Sequence, residues 1–110
     1  MQFLVMDPGA EPNKPMTPEQ GVEMGKFMAE SYAKGMVIAQ GGLPPKGSRV
    51  RFTKGKIVVT DGPFVETKEM VLGFAVIRVD SREEAVKWVS RLREIAGEGE
   101  TSLIQIYGPS

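Results

Sequence analysis

Along this chain the spacing of apolar residues alternates between the two-residue period of a strand and the 3.6-residue period of a helix. Residues 3–6, Phe-Leu-Val-Met, form an apolar run closed by Asp7-Pro8-Gly9 and predict a short strand. Pro8, Pro12 and Pro15 then hold a loop of about ten residues out of regular structure. Thr17-Pro18-Glu19-Gln20 opens a helix, with Thr17 as N-cap, Pro18 at the first helical position and Gln20 reaching back as in a capping box. Met24, Met28 and Tyr32 recur at helical spacing with Gly21 and Gly25 beside them, a face expected to pack closely on a sheet. Gly35 closes the helix.

Residues 36–39 predict a second strand, ending in Gly41-Gly42-Leu43-Pro44-Pro45, which is not expected to pair in a ladder. Residues 49–60 read as a hairpin turning at Lys54-Gly55. With a two-residue turn, Val50, Phe52, Ile57 and Val59 share one side, and Arg49, Arg51 and Lys56 share the other. Asp61-Gly62-Pro63 is expected to leave the extended path, since Gly62 permits positive φ and Pro63 donates no hydrogen bond. Residues 72–79 resume as a long apolar strand. Ser81-Arg82-Glu83-Glu84 is a second capping box, and behind it Ala85, Trp88, Val89, Leu92 and Ala96 form an amphipathic stripe ended by Gly97. Residues 103–107 close the chain as a last strand.

The order is strand, helix, strand, hairpin, strand, helix, strand, which predicts an α+β, ferredoxin-like sandwich (β-α-β-β-β-β-α-β) with an inserted hairpin. The 110 residues fit one domain, without repeat or interdomain linker. Two helices cover one face of such a sheet, so the strands should alternate cleanly if the other face meets water. They do not: Val37 with Ile38, residues 75–77, and Leu103 with Ile104 place apolar groups on both faces. A second copy is therefore expected to cover the open face, giving a homodimer packed sheet to sheet with a cleft in or beside the interface. The alternative is a monomer in which the hairpin and the loop after Asp7 cover it.

Composition narrows the chemistry. Fourteen basic residues balance fourteen acidic ones, so no net field favours nucleic acid or an anionic membrane. The chain has neither cysteine nor histidine, which excludes thiol nucleophiles, disulfides, imidazole bases and histidine- or thiolate-bound metals. Asp, Glu, Lys, Tyr, Ser and Thr remain, and no cofactor is implied. The first residues lack a basic segment and a long apolar run, so neither a signal peptide nor a membrane span is expected, and the protein is expected in the cytoplasm.

The segment Thr60-Asp61-Gly62-Pro63-Phe64-Val65-Glu66-Thr67-Lys68-Glu69 gathers polar groups between two apolar runs. With Gly42-Leu43, the Arg49-Val50-Arg51-Phe52 strand, the helix start over residues 81–88 and Gly97-Glu98-Gly99-Glu100, it resembles the DGPF-domain proteins of the YCII-related superfamily over the whole chain. The resemblance implies a dimeric ferredoxin-like fold of the dimeric α+β barrel kind and no established activity. Some relatives are proposed enzymes that act on small cyclic organic molecules through a His-Asp pair, a mechanism this histidine-free chain cannot use. The resemblance also implies a regulatory link to extracytoplasmic-function sigma factors, through neighbouring genes.

Asp61 is the candidate catalytic acid or base; its other reading is a carboxylate that caps the Gly62-Pro63 turn. Candidate ligand-binding residues are Gly42, Asp61, Gly62, Pro63, Phe64, Glu66, Thr67, Lys68 and Glu69, the charged ones through charge-assisted hydrogen bonds. Glu66, Lys68 and Glu69 equally suit a solvated loop or an ion pair across a dimer, and Phe64 suits a buried anchor. Asp7, Asp61 and Glu66 would make an oxygen-only metal set, and no metal is expected there. Lys46, Arg49, Arg51, Lys54 and Lys56 surround Phe52, but the hairpin register turns Phe52 away from Arg49 and Arg51, which argues against a nucleic-acid surface. The leading expectation is a dimer that binds a small polar organic ligand and performs acid–base chemistry of the isomerase or lyase type. The alternative is a protein-interaction or regulatory module linked to such sigma factors, with the Asp61-Gly62-Pro63-Phe64 segment structural.

Overall fold

A computed structural model describes residues 1–7, 16–43, 46–62 and 73–108. The elements are β1 (Gln2–Asp7), α1 (Pro18–Ala33), β2 (Val37–Gly42), β3 (Gly47–Thr53), β4 (Lys56–Gly62), β5 (Gly73–Arg78), α2 (Arg82–Ala96) and β6 (Ser102–Ile106). Four strands form an antiparallel sheet in the order β2-β5-β1-β6, and β3-β4 form a separate two-stranded sheet. This is the ferredoxin-like arrangement, with the hairpin inserted between β2 and β5.

The core lies between one sheet face and the two helices. Phe3 and Val5 of β1, Val37 of β2, and Ala75 and Ile77 of β5 meet Ala85 and Trp88 of α2, with Phe27 and Met28 of α1 packed alongside. Helix α1 starts as its sequence dictates. The Thr17 hydroxyl accepts from Gln20 N at 3.2 Å, and Gln20 Oε1 accepts from Thr17 N at 2.8 Å. The same Gln20 donates through Nε2 to Ile95 O at 3.2 Å, which ties the start of α1 to the end of α2. Helix α2 is capped by Ser81, which accepts from Glu84 N. Glu84 reaches one residue further back than a capping box, and its carboxylate accepts from Asp80 N.

Three further expectations about these elements are corrected. Tyr32 is exposed, and nothing lies within 4 Å of a Cβ built on Gly21 or Gly25, so the glycines do not bring α1 close to the sheet. The inner face of α1 instead centres on Phe27, Met28 and Ser31, the one buried polar residue among those described. Trp88 Nε1 donates to the Ser31 hydroxyl at 2.9 Å, and that hydroxyl donates to Phe27 O at 2.8 Å. Ser31→Ala would leave the indole N–H without its partner in the core, and a loss of about 1–3 kcal/mol in chemical denaturation is expected.

The second correction is that β2 does not stop before its glycines. Gly41 pairs with Phe74 and Gly42 with Gly73. A Cβ on Gly41 would come within 3.2 Å of the Phe74 ring, so the missing side chain lets that ring lie against the strand. The third is that β4 continues through Asp61 and Gly62, which pair with Ser48 and Gly47. The turn at Lys54 (φ 51°) and Gly55 (φ 73°) holds both central residues at positive φ, as a tight two-residue hairpin needs.

The sheet face away from the helices carries Leu4, Met6, Phe74, Val76, Ile104 and Ile106, by the alternation of the paired registers. Ile104 remains 49% exposed. The hairpin stands apart from this sheet and does not fold back over it, so the monomer alternative lacks one of the two covers it requires.

Candidate functional site

The candidate residues among those described lie at one end of the four-stranded sheet and in the hairpin that follows it. Asp7, Gly42 and Gly73 close β1, β2 and β5 side by side, with Gly73 paired to both others. The hairpin follows β2 by a short connection, and its base is the Gly47–Gly62 pair. Next to that base, the Ser48 hydroxyl donates to Asp61 Oδ1 at 2.5 Å, the short distance of a hydrogen bond to a carboxylate. The register decides which way this pair faces. Ser48, Val50 and Phe52 alternate onto one side of β3, and Asp61, Val59 and Ile57 lie opposite them on the same side. Asp61 therefore stands at the foot of an apolar strip, and in the single chain it is exposed. Arg49 and Arg51 lie on the opposite side.

Of the residues singled out from sequence, Gly42, Asp61 and Gly62 are placed at strand ends, and Asp61 is joined by Ser48, which no sequence motif marks. Ser48 was findable: a two-residue turn at 54–55 pairs 52 with 57, 50 with 59 and 48 with 61. Pro63, Phe64, Glu66, Thr67, Lys68 and Glu69 lie outside the described residues.

Asp7 has a structural partner. Arg93 Nη1 lies 3.5 Å from its carboxylate and 3.2 Å from the Thr101 hydroxyl, while Nη2 donates to Gly97 O at 3.0 Å. Arg93 thus staples the end of β1 to the turn between α2 and β6. Gly99 is needed beneath it, because at φ 153° a Cβ there would fall 2.9 Å from Nη2.

Two concavities flank this framework. A cavity of about 170 Å³ lies between the helices and the sheet end, lined by Met24, Met28, Trp88 and Leu92 with Asp7 and Gln40 as its polar groups. An open groove of about 840 Å³ runs between α2 and β6, past Val86, Val89, Arg93, Leu103 and Gln105. Neither includes Gly42, Asp61 or Gly62. Among the described residues no group of three or more acidic side chains is placed to hold a metal.

Fold and site together define a class: a ferredoxin-like α+β sandwich with one apolar sheet face that no described element packs over, and a carboxylate-bearing hairpin beyond the sheet end. The model of the YCII-related domain matches residues 1–106, and the chain belongs to that family. An uncharacterised protein of Rhizobium meliloti is 36% identical over 63 residues, 54% of this chain, and the match spans about half (51%) of that relative's own length. Among solved structures, 5-chloro-2-hydroxyhydroquinone dehydrochlorinase (TftG) from Burkholderia phenoliruptrix, in complex with 2,5-dihydroxybenzoquinone, superposes with a TM-score of 0.53. That likeness covers 99% of this chain and 96% of the other at 15% identity, and it concerns the fold. No helix of the described residues is long and apolar enough to cross a membrane.

Proposed function

We propose that the protein is a homodimer that binds a small polar organic molecule beside its sheet interface, with Asp61 as the acid–base group and no cofactor. The observation that carries this is the Ser48–Asp61 pair at the foot of an apolar strip. A carboxylate is a useful proton carrier where it is oriented and where water is kept away. Ser48 supplies the orientation, since its hydroxyl fixes Oδ1 and leaves the second oxygen for a ligand. Shelter comes from a second copy placed on the open apolar face. A hydroxyl or an acidic C–H of a ring-shaped substrate is the natural partner of such an oxygen, and proton removal there leads to isomerisation or elimination. The dehydrochlorinase of like fold supports this choice of ligand class by analogy.

The test is calorimetric titration with 2,5-dihydroxybenzoquinone of the wild type and of Asp61→Asn. Asp61 is exposed in the single chain, so the variant is expected to melt within about 1 °C of the wild type. Affinity is expected to fall by at least roughly tenfold, the equivalent of one charge-assisted hydrogen bond. Equal affinity in the two proteins would remove Asp61 from the site, and no binding by the wild type would remove this class of ligand.

A further inference from the structure

We propose that the β3–β4 hairpin is an exchanged arm: in the dimer each copy lays the apolar side of its hairpin on the partner subunit, and the Ser48–Asp61 pair is enclosed only when it does. This rests on the dimeric reading above and adds to it a second contact and a shared site.

Val50, Phe52, Ile57 and Val59 are 68%, 72%, 62% and 59% exposed, and all four lie on one side of the ribbon. The other side carries Arg49, Arg51 and Lys56, with Val58, the least exposed of the hairpin's apolar residues at 38%, opposite Arg51. A ribbon divided in this way is built to lie on something, and a two-stranded hairpin alone in water is marginally stable. Nothing among the described residues of its own chain takes the strip. The Cα radius of gyration is 16.4 Å, against about 13 Å for a compact domain of this length, as befits a chain with a projecting element.

Area identifies the occupant. At about 4.8 Å between strands and 3.3 Å per residue, the open face of the four-stranded sheet offers about 360 Å² per copy. Two such faces together bury about 700 Å², short of the roughly 1,200 Å² at the lower end of specific interfaces. Each hairpin, with seven residues per strand, adds about 220 Å² and covers as much again where it lands. With both arms the total reaches about 1,600 Å², a standard interface. Twofold symmetry makes the exchange reciprocal, so one amphipathic ribbon serves both copies. Because Asp61 shares the apolar side, the contact that covers Phe52 and Val59 also draws the carboxylate out of water, where its interactions with a ligand strengthen.

The test compares the wild type with Phe52→Ser/Ile57→Ser by sedimentation equilibrium. Both side chains are exposed in the single chain, so the dilute variant should melt as the dilute wild type does. Its dimer dissociation constant is expected to rise on the order of a hundredfold, from four apolar side chains withdrawn from the symmetric contact. Because the chain has no cysteine, Val50→Cys supplies a single thiol for a second readout. Its alkylation should slow at least roughly tenfold between the dilute chain and the dimer, as burial requires. An unchanged dissociation constant, or equal alkylation rates, would overturn the arm while leaving a sheet-face dimer standing, with the strip free for a different macromolecule. A wild type that stays single at every concentration would overturn both the arm and the dimer beneath it.

Discussion

Replacing Trp88 by alanine is expected to destabilise the fold by about 3–5 kcal/mol. Trp88 is 5% exposed and stands where both helices meet the sheet. Its ring lies 5.1 Å from that of Phe27 in a tilted contact, and its indole N–H satisfies Ser31. Truncation removes the apolar burial, opens a cavity between two helices and takes away the donor that Ser31 accepts from. For a domain whose total stability is about 5–15 kcal/mol this is a large share, and the melting temperature should fall by roughly 15 °C. Trp88→Phe keeps most of the volume but loses the hydrogen bond and a small part of the buried ring, so about 1–2 kcal/mol is expected. Chemical denaturation of both variants checks the account; a loss below 1 kcal/mol for the alanine variant would mean that the core is not centred there.

Ile104→Glu is expected to separate the dimer without unfolding the chain. Ile104 sits on the open sheet face, opposite Leu4 on β1, and is already half exposed in the single chain. A carboxylate there meets water in the monomer, so the stability of the lone chain should change by about 0.5 kcal/mol or less. In a face-to-face dimer the symmetry buries two such charges in an apolar contact with no partner. The dissociation constant is expected to rise by more than roughly a hundredfold, read by sedimentation. A dissociation constant equal to that of the wild type would place the dimer contact elsewhere.

The elements that sequence foretold are those whose cause is local. Thr17 with Gln20, Ser81 with Glu84, and Gly55 in the hairpin turn each act within a few residues, and each appears where its chemistry puts it. The apolar open face was legible for a similar reason, since a period of two exposes any strand that is apolar at both parities. What was not legible depends on distant partners. Gly41 and Gly42 look like punctuation until Phe74 and Gly73 lie beside them. Asp61-Gly62 looks like a turn until Ser48 and Gly47 continue the ladder. Helical spacing put Tyr32 in line with Met24 and Met28, but the inward direction of α1 is set by Trp88, which draws Ser31 inside and leaves Tyr32 out. Arg93 gave no signal, because its partners Asp7 and Thr101 come from two other parts of the chain. Asp61 belongs to the polar stretch singled out in the sequence. Its apolar setting follows from extending the hairpin register two pairs beyond Val50 and Val59.

The whole functional account depends on a second copy to shelter Asp61 and to cover Leu4, Val76 and Ile104. Sedimentation equilibrium of the wild-type protein at micromolar concentration tests this most directly. The account predicts a single species of twice the chain mass of 12.0 kDa. A well-folded species of 12.0 kDa at every concentration would contradict it.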